Sequence, residues 1–189
     1  MKLVVRQPTE SNLEKFLEQA KEQSFSYKPQ EITKGDPLRG YQVDRYDICL
    51  GTTTQVFEQA VEGVKNWVMF DLPWIRLFRR NTPIKTGETV AVAVNHRVFW
   101  SINACRIVYV IDEQDRFGFA YGTLTDHGER GEEKFLVERN GPEEQVWYRI
   151  VAMSRPGFLA GVAYPYSRRL QITFGRASKN AMLHYTKGR

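Results

Sequence analysis

Cysteine, histidine and long apolar runs are what this sequence has least of. Two cysteines stand among 189 residues, Cys49 and Cys105, far apart and each inside an apolar, strand-like run. No C-x-x-C spelling occurs, so a disulfide framework and a redox motif are both excluded, and the pair reads as two buried free thiols in a reducing compartment. The three histidines, His96, His127 and His184, stand alone. Without H-E-x-x-H or paired Cys/His spacing no metal centre is expected, and His127-x-Glu129 falls in a glycine-flanked turn. No stretch approaches the roughly 18–20 apolar residues of a membrane-spanning helix. The opening MKLVVRQPTESN lacks the apolar core and cleavage pattern of an export signal, so a cytoplasmic chain is expected. Phosphate loops are missing too. GFAYG (118–122) lies inside a strand pattern, so its glycines are expected to admit a close neighbour, not a nucleotide. No G-x-S-x-G and no legible Ser/His/acid grouping suggests a serine hydrolase. No cofactor is expected.

What is present describes a globular chain. Hydrophobic residues make up 42% and aromatics 13%, well above disordered compositions. The length fits one domain, large enough to bury a core without metals or disulfides. The net charge of +5 is unevenly spread: residues 151–189 carry seven bases and no carboxylate, whereas 111–150 carry ten acids against five bases. A basic end of this kind attracts an acidic partner or a membrane surface, or lies against the acidic block beside it. Nucleic acid is not expected, because no stacking aromatics interleave with Arg168, Arg169, Arg176 and Lys179. Those four fall off the apolar stripe of the last segment and read as a solvated helix face.

Along the chain, Ser11-x-x-Glu14 spells a capping box. Leu13, Phe16, Leu17 and Ala20 recur behind it at helical spacing, predicting a helix near 11–23. Residues 24–40 are rich in Pro and Gly and read as loop. A strand follows over 41–50, then N-capping threonines and a helix over roughly 54–66 with Val56, Phe57, Ala60, Val61 and Val64 on one face. Trp67, Phe70, Trp74 and Phe78 extend it as an aromatic patch broken by Pro73. From Thr89 the period changes to two. Five strands are predicted near 89–98, 100–112, 117–125, 132–139 and 145–154, joined by short polar turns into an antiparallel meander. After Pro156, residues Phe158, Val162, Tyr166, Leu170, Phe174, Ser178, Met182 and Tyr185 form an apolar stripe, predicting a helix over about 157–186 with a kink or restart at Pro165. The expected fold is α+β: a curved antiparallel sheet of six or seven strands gripping the long C-terminal helix, with residues 1–40 as an extension packed on a 41–189 domain.

Four stretches carry a family resemblance: YDICLGTTTQVFEQAVEGVKNWVMFDLPW (46–74), CRIVYVIDEQDRFGFAYGTLTDHGERGEEKFLVE (105–138), VWYRIVAMSRP (146–156) and SRRLQITFGRASKNAM (167–182). They resemble the uncharacterised family called domain of unknown function nineteen-ninety over about 41–184, with the first forty residues mostly outside. That family looks like a branch of the START / Bet v 1-like superfamily. The resemblance implies the same helix-grip fold, and relatives that bind lipids, hormones or polyketides, a few of them catalysing cyclisation. It carries over no catalytic residues.

The residues that interrupt the apolar strands are the candidate ligand contacts: Asn103, Arg106, Tyr109, Tyr121, Thr123 and Glu133. By parity Asn103 and Tyr109 share one face and Arg106 takes the other. Which of them joins Tyr121 depends on the register of the DEQDR turn, and both registers stay open. A buried Arg106 needs an anion, and Glu133, in step with Phe135 and Val137, is its candidate partner; the alternative is an Arg106 that faces solvent on the convex side. The function expected is binding of a small apolar or amphipathic molecule between sheet and helix. The alternatives are a cyclase, hydratase or isomerase using Tyr109, Tyr121, Glu133 or His127 as acid or base, and a ligand-free structural protein.

Overall fold

A computed structural model describes residues 1–141, 144–157 and 164–188. Chain order is β1 (Lys2–Val4), α1 (Glu10–Lys21), a 3₁₀ turn (Ile32–Lys34), β2 (Gln42–Gly51), α2 (Thr54–Lys65), a second 3₁₀ turn (Val68–Phe70), β3 (Ile75–Phe78), β4 (Thr89–Asn95), β5 (Trp100–Glu113), β6 (Arg116–Thr123), β7 (Glu129–Asn140), β8 (Gln145–Pro156) and α3 (Tyr164–Thr186). The strands form one antiparallel sheet in the order β2-β8-β7-β6-β5-β4-β3. This is the expected curved sheet. The short β1 adds to the edge of β5 at 100–102, just beyond where β6 stops.

β4 shows how the sequence sorts its two faces. Its run TVAVAVN alternates valine with alanine. Val90 and Val92 enter the core on the concave side, with Phe119, Phe135 and Tyr148. Ala91 and Ala93 face the other way, and their small side chains let α1 approach closely with Leu13, Phe16, Leu17 and Ala20. The cap of α1 differs from expectation: Thr9 Oγ1, not Ser11, accepts from the Asn12 amide. That shift starts the helix one residue earlier and replaces the expected box with a single side-chain cap. Thr53 caps α2 in the same way, accepting from the Val56 amide.

α2 and α3 lie in the concavity, packed with Trp67, Met69 and Phe70 against the sheet. α3 begins one residue before Pro165, a position in the first turn where a missing N–H costs nothing. Its buried face keeps only the middle of the stripe that the spacing predicted, around Ser178 and Met182. Gly175, Ser178, Met182 and Thr186 are buried, Leu170 and Phe174 only half-buried, and Tyr166 and Tyr185 exposed. A strict four-residue repeat drifts about 40° per step on a helix of 3.6 residues per turn, so both ends of the stripe swing away from the sheet. Phe158 and Val162 lie outside the described residues.

Residues 25–34 run over the convex face. Glu132, whose side chain points there between the inward Gly131 and Glu133, accepts from Tyr27 Oη at 2.6 Å, from the amides of Glu31 and Thr33 at 2.9 and 3.1 Å, and from Thr33 Oγ1. Gly122 makes room for the Tyr27 ring, and Gly118 for the backbone of Phe135. The glycines of GFAYG thus admit close neighbours. Cys105 is buried, but Cys49 is exposed, because β2 turns Ile48 and Leu50 inward and Cys49 out.

Candidate functional site

The hairpin between β5 and β6 pairs Glu113 with Arg116 and so has a two-residue loop. A bulge then shifts the register between Ile107 and Tyr109. Val108 is the extra residue, and the face presented by β5 flips across it. Simple parity therefore fails: Asn103 faces the concavity with Cys105, Ile107 and Tyr121, whereas Arg106 and Tyr109 both lie on the convex side. There Arg106 donates from Nε to Thr89 Oγ1 at 3.1 Å and from Nη2 to the carbonyls of Ala20 and Lys21 at 3.1 and 2.7 Å. It closes the C-terminus of α1, where a cation is favoured. Tyr109 Oη bonds Thr33 Oγ1 at 2.8 Å, and Lys34 sits over its ring. Glu133 is therefore not the partner of Arg106. Thr123 Oγ1 bonds Ser26 Oγ at 2.6 Å and accepts from the Gly131 amide at 2.9 Å, tying strands together.

The concave face changes character along its length. Its middle is a stack of rings: Trp67, Phe70, Phe119, Tyr121, Phe135 and Phe174, with neighbouring centroids 4.8–6.3 Å apart. Beyond Tyr121 the side chains turn polar. Tyr121 Oη donates to Glu133 Oε2 at 2.8 Å. On α3, Gln171 Nε2 donates to Glu129 Oε2 at 2.6 Å and to Ser154 Oγ at 3.1 Å. Arg168 forks onto both carboxylate oxygens of Asp44 and donates to Gln171 Oε1 at 3.1 Å. Asp44, Glu129, Glu133 and Ser154 reach this end from β2, β7 and β8 by the two-residue period of the sheet.

Three carboxyl groups meet one guanidinium here. Burial pushes Glu133 up to about 7, the Tyr121 hydrogen bond pulls it down, and Glu129 and Asp44 push it further up. Glu129 is also raised, chiefly by burial, while Gln171 and Arg168 oppose. Tyr121 is held well above an ordinary phenol by burial and by Glu133. The rim carries a second chain of contacts: Asn103 Nδ2 donates to Ser101 Oγ at 3.3 Å, Ser101 Oγ meets His96 Nε2 at 2.8 Å, and His96 Nδ1 meets Tyr166 Oη at 2.9 Å. His127 stays in its own turn, accepting from the Glu129 amide at 3.0 Å, and burial lowers it to about 4.

Of the six expected contacts, Asn103, Tyr121 and Glu133 face the concavity. Sequence reasoning missed Asp44, Glu129, Ser154 and Gln171, and it placed Arg168 on a solvated face. The available signal was parity: Asp44 is in step with Tyr46 and Ile48, and Glu129 with Glu133 and Phe135. An open hollow of about 530 Å³ lies elsewhere, on the convex side between residues 25–31 and Arg106, whose guanidinium is already engaged with α1. Among the described residues no helix is long and apolar enough to cross a membrane, and no three His, Cys, Asp or Glu side chains converge as metal ligands.

The family model named "Domain of unknown function (DUF1990)" matches residues 26–181. The chain belongs to this family. The DUF1990 match begins at residue 26, inside the segment expected to lie mostly outside it. A UPF0548 protein of Dictyostelium discoideum is 34% identical, aligned over 94% of this chain and 93% of that protein. A UPF0548 protein of Deinococcus radiodurans is 31% identical over 97% and 95%. Among solved structures, a hypothetical protein of Helicobacter pylori superposes with a TM-score of 0.57 at 11% identity, covering 86% of this chain and 96% of that one. The Zhui aromatase/cyclase from Streptomyces sp. R1128 gives 0.51 at 13% identity, covering 78% and 94%. At such identities the likeness is one of fold, and it places this DUF1990 chain in the START / Bet v 1-like helix-grip class.

Proposed function

We propose that this DUF1990 chain binds a small, largely apolar molecule inside the grip, with its polar end at Tyr121 and Glu133. One observation carries the reading. Glu133 sits on the concave wall beside a stack of rings, holds one hydrogen bond at 2.8 Å, and still keeps partial exposure between sheet and helix. A carboxyl so placed is costly unless something meets it. Apolar walls with a few converging polar groups are the usual make-up of a small-molecule site. Asn103 stays in the proposal as a rim contact, while Arg106, Tyr109 and Thr123 leave it, the Thr123 hydroxyl being engaged by Ser26 and Gly131. Because, among the described residues, the carboxyl groups of Asp44, Glu129 and Glu133 outnumber the one guanidinium of Arg168 inside the concavity, a ligand offering hydrogen-bond donors or a positive charge fits better than an anion.

A second reading, acid–base catalysis by Glu133 with Tyr121, is favoured by the carboxyl value near 7, close to working pH. One structural neighbour is an aromatase/cyclase, so an enzyme can be built on this fold. Native mass spectrometry of protein purified from its own host tests binding. The expected result is an added mass that Glu133→Gln and Tyr121→Phe lose with no fall in their melting temperatures. A wild-type chain that never carries added mass, with both variants destabilised, overturns it in favour of an internal hydrogen-bond network. Catalysis requires conversion of the released compound with an inflection near pH 7 that Glu133→Gln abolishes.

A further inference from the structure

Single exposed apolar side chains are ordinary on a protein surface, but clustered ones are not. Among the described residues, the exposed large apolar or aromatic side chains are Met1, Leu3, Val5, Val98, Tyr166 and Tyr185. All but Tyr185 gather at one place. Leu3 pairs with Ser101 across β1 and β5, so it opens on the same face as Ser101 and Asn103. Leu3, Val4, Val5 and Phe99 line one shallow apolar hollow. Phe99 stacks on His96 with centroids 4.5 Å apart, and His96 holds Tyr166. Leu3, Val5 and Val98 are the most exposed of the set, at 57%, 82% and 76%. Together they form a lip at the polar end of the grip.

Charge surrounds the lip asymmetrically. Lys2, Arg6 and Arg97 are exposed within it, and among the described residues none of them pairs with a carboxylate. Asp126 stands near the Met1 amine and accepts from Gln23 Nε2 at 2.8 Å. Arg97 has a left-handed φ of 73° and donates its amide to Asn95 Oδ1 at 2.7 Å, a turn that carries Val98 at its tip. Protruding apolar tips ringed by unpaired bases match a lipid interface, where the apolar groups enter the headgroup boundary and the bases meet anionic phosphate.

We infer that this lip docks the DUF1990 chain on an anionic phospholipid surface, with Val5 and Val98 inserted and Lys2, Arg6 and Arg97 at the headgroups. The docking does not depend on what the grip binds. Co-flotation of the whole chain with vesicles tests it, using phosphatidylcholine alone and an equimolar mixture with phosphatidylserine. The chain floats with the mixed vesicles and not with the neutral ones, and added salt weakens the binding. Arg97→Glu lowers the partition at least about fivefold, the factor one base near an anionic surface is worth. The double variant Val5→Glu, Val98→Glu abolishes flotation with an unchanged melting temperature, since both side chains are exposed. Failure to float with the mixed vesicles overturns the inference, as does flotation that the variants leave intact. So does self-association that the double variant abolishes without any vesicle binding, which would make the free edge of β1 an interface between copies.

Discussion

Replacing Glu133 by Gln should change the pH dependence of stability in a direction that burial alone determines. In the unfolded chain this carboxyl titrates near its ordinary value of 4.5; in the folded chain it titrates near 7. Between those values the folded state holds a proton that the unfolded state has lost. Stability contributed by the neutral carboxyl is therefore full below about pH 4.5 and is lost as pH rises toward 7. At about 1.4 kcal/mol per pH unit, the whole loss is at most about 3.5 kcal/mol. Gln keeps an acceptor for Tyr121 Oη but cannot ionise. The stability difference, variant minus wild type, should therefore climb by up to about 3 kcal/mol from pH 4.5 to 7 and level off about one unit above. His127 works the other way. Its folded value of about 4 lies below the ordinary 6.5, so its contribution is full above pH 6.5 and lost as pH falls toward 4. The two slopes oppose each other in the wild-type curve, which is why the difference curve is the informative one. Urea melts at half-unit pH steps measure it. A difference curve that is flat between pH 4.5 and 7, or that slopes downward, would refute the buried-carboxyl reasoning.

Two further outcomes rest on packing. Met182 is fully buried and Leu170 is not, so Met182→Ala should cost about 2–5 kcal/mol in a denaturant melt and Leu170→Ala clearly less; the reverse order would mean the face of α3 is misassigned. Tyr27→Phe deletes a 2.6 Å hydrogen bond to the buried Glu132 carboxylate and should cost roughly 1.5–3 kcal/mol; a loss below half a kcal/mol (order of magnitude) would show that the remaining donors suffice.

The strands of the meander were legible because alternation is a local property: Val90, Val92, Phe135 and Val137 each reveal a buried face to their immediate neighbours. β1 and β3 were not, at 3 and 4 residues too short to establish a period. β3 was read into the aromatic patch after α2. The candidate site was half legible for a different reason. Tyr121 and Glu133 sit on regular strands where parity holds, whereas Arg106 and Tyr109 flank Val108, and one unpaired residue reverses parity without any composition signal. Arg168 was misplaced because its partner Asp44 is 124 positions away in sequence, and no periodicity within α3 reports a carboxylate on another element.

The Glu132 clamp also sets an order of events while the chain is being made. Tyr27 waits for a carboxylate 105 residues further on, and Thr33 for one 99 residues on. Until β7 has left the ribosome, residues 25–34 have no convex face to lie on, and α1 must wait for β4 and β5 to bury its apolar side. Residues 10–34, synthesised before the strands that they pack on, are thus among the last to dock. Long loops of this kind close slowly because their entropy is spent before their contacts form. During that interval Leu13, Phe16 and Leu17 are open to solvent, an apolar helix face exposed to aggregation until the sheet arrives.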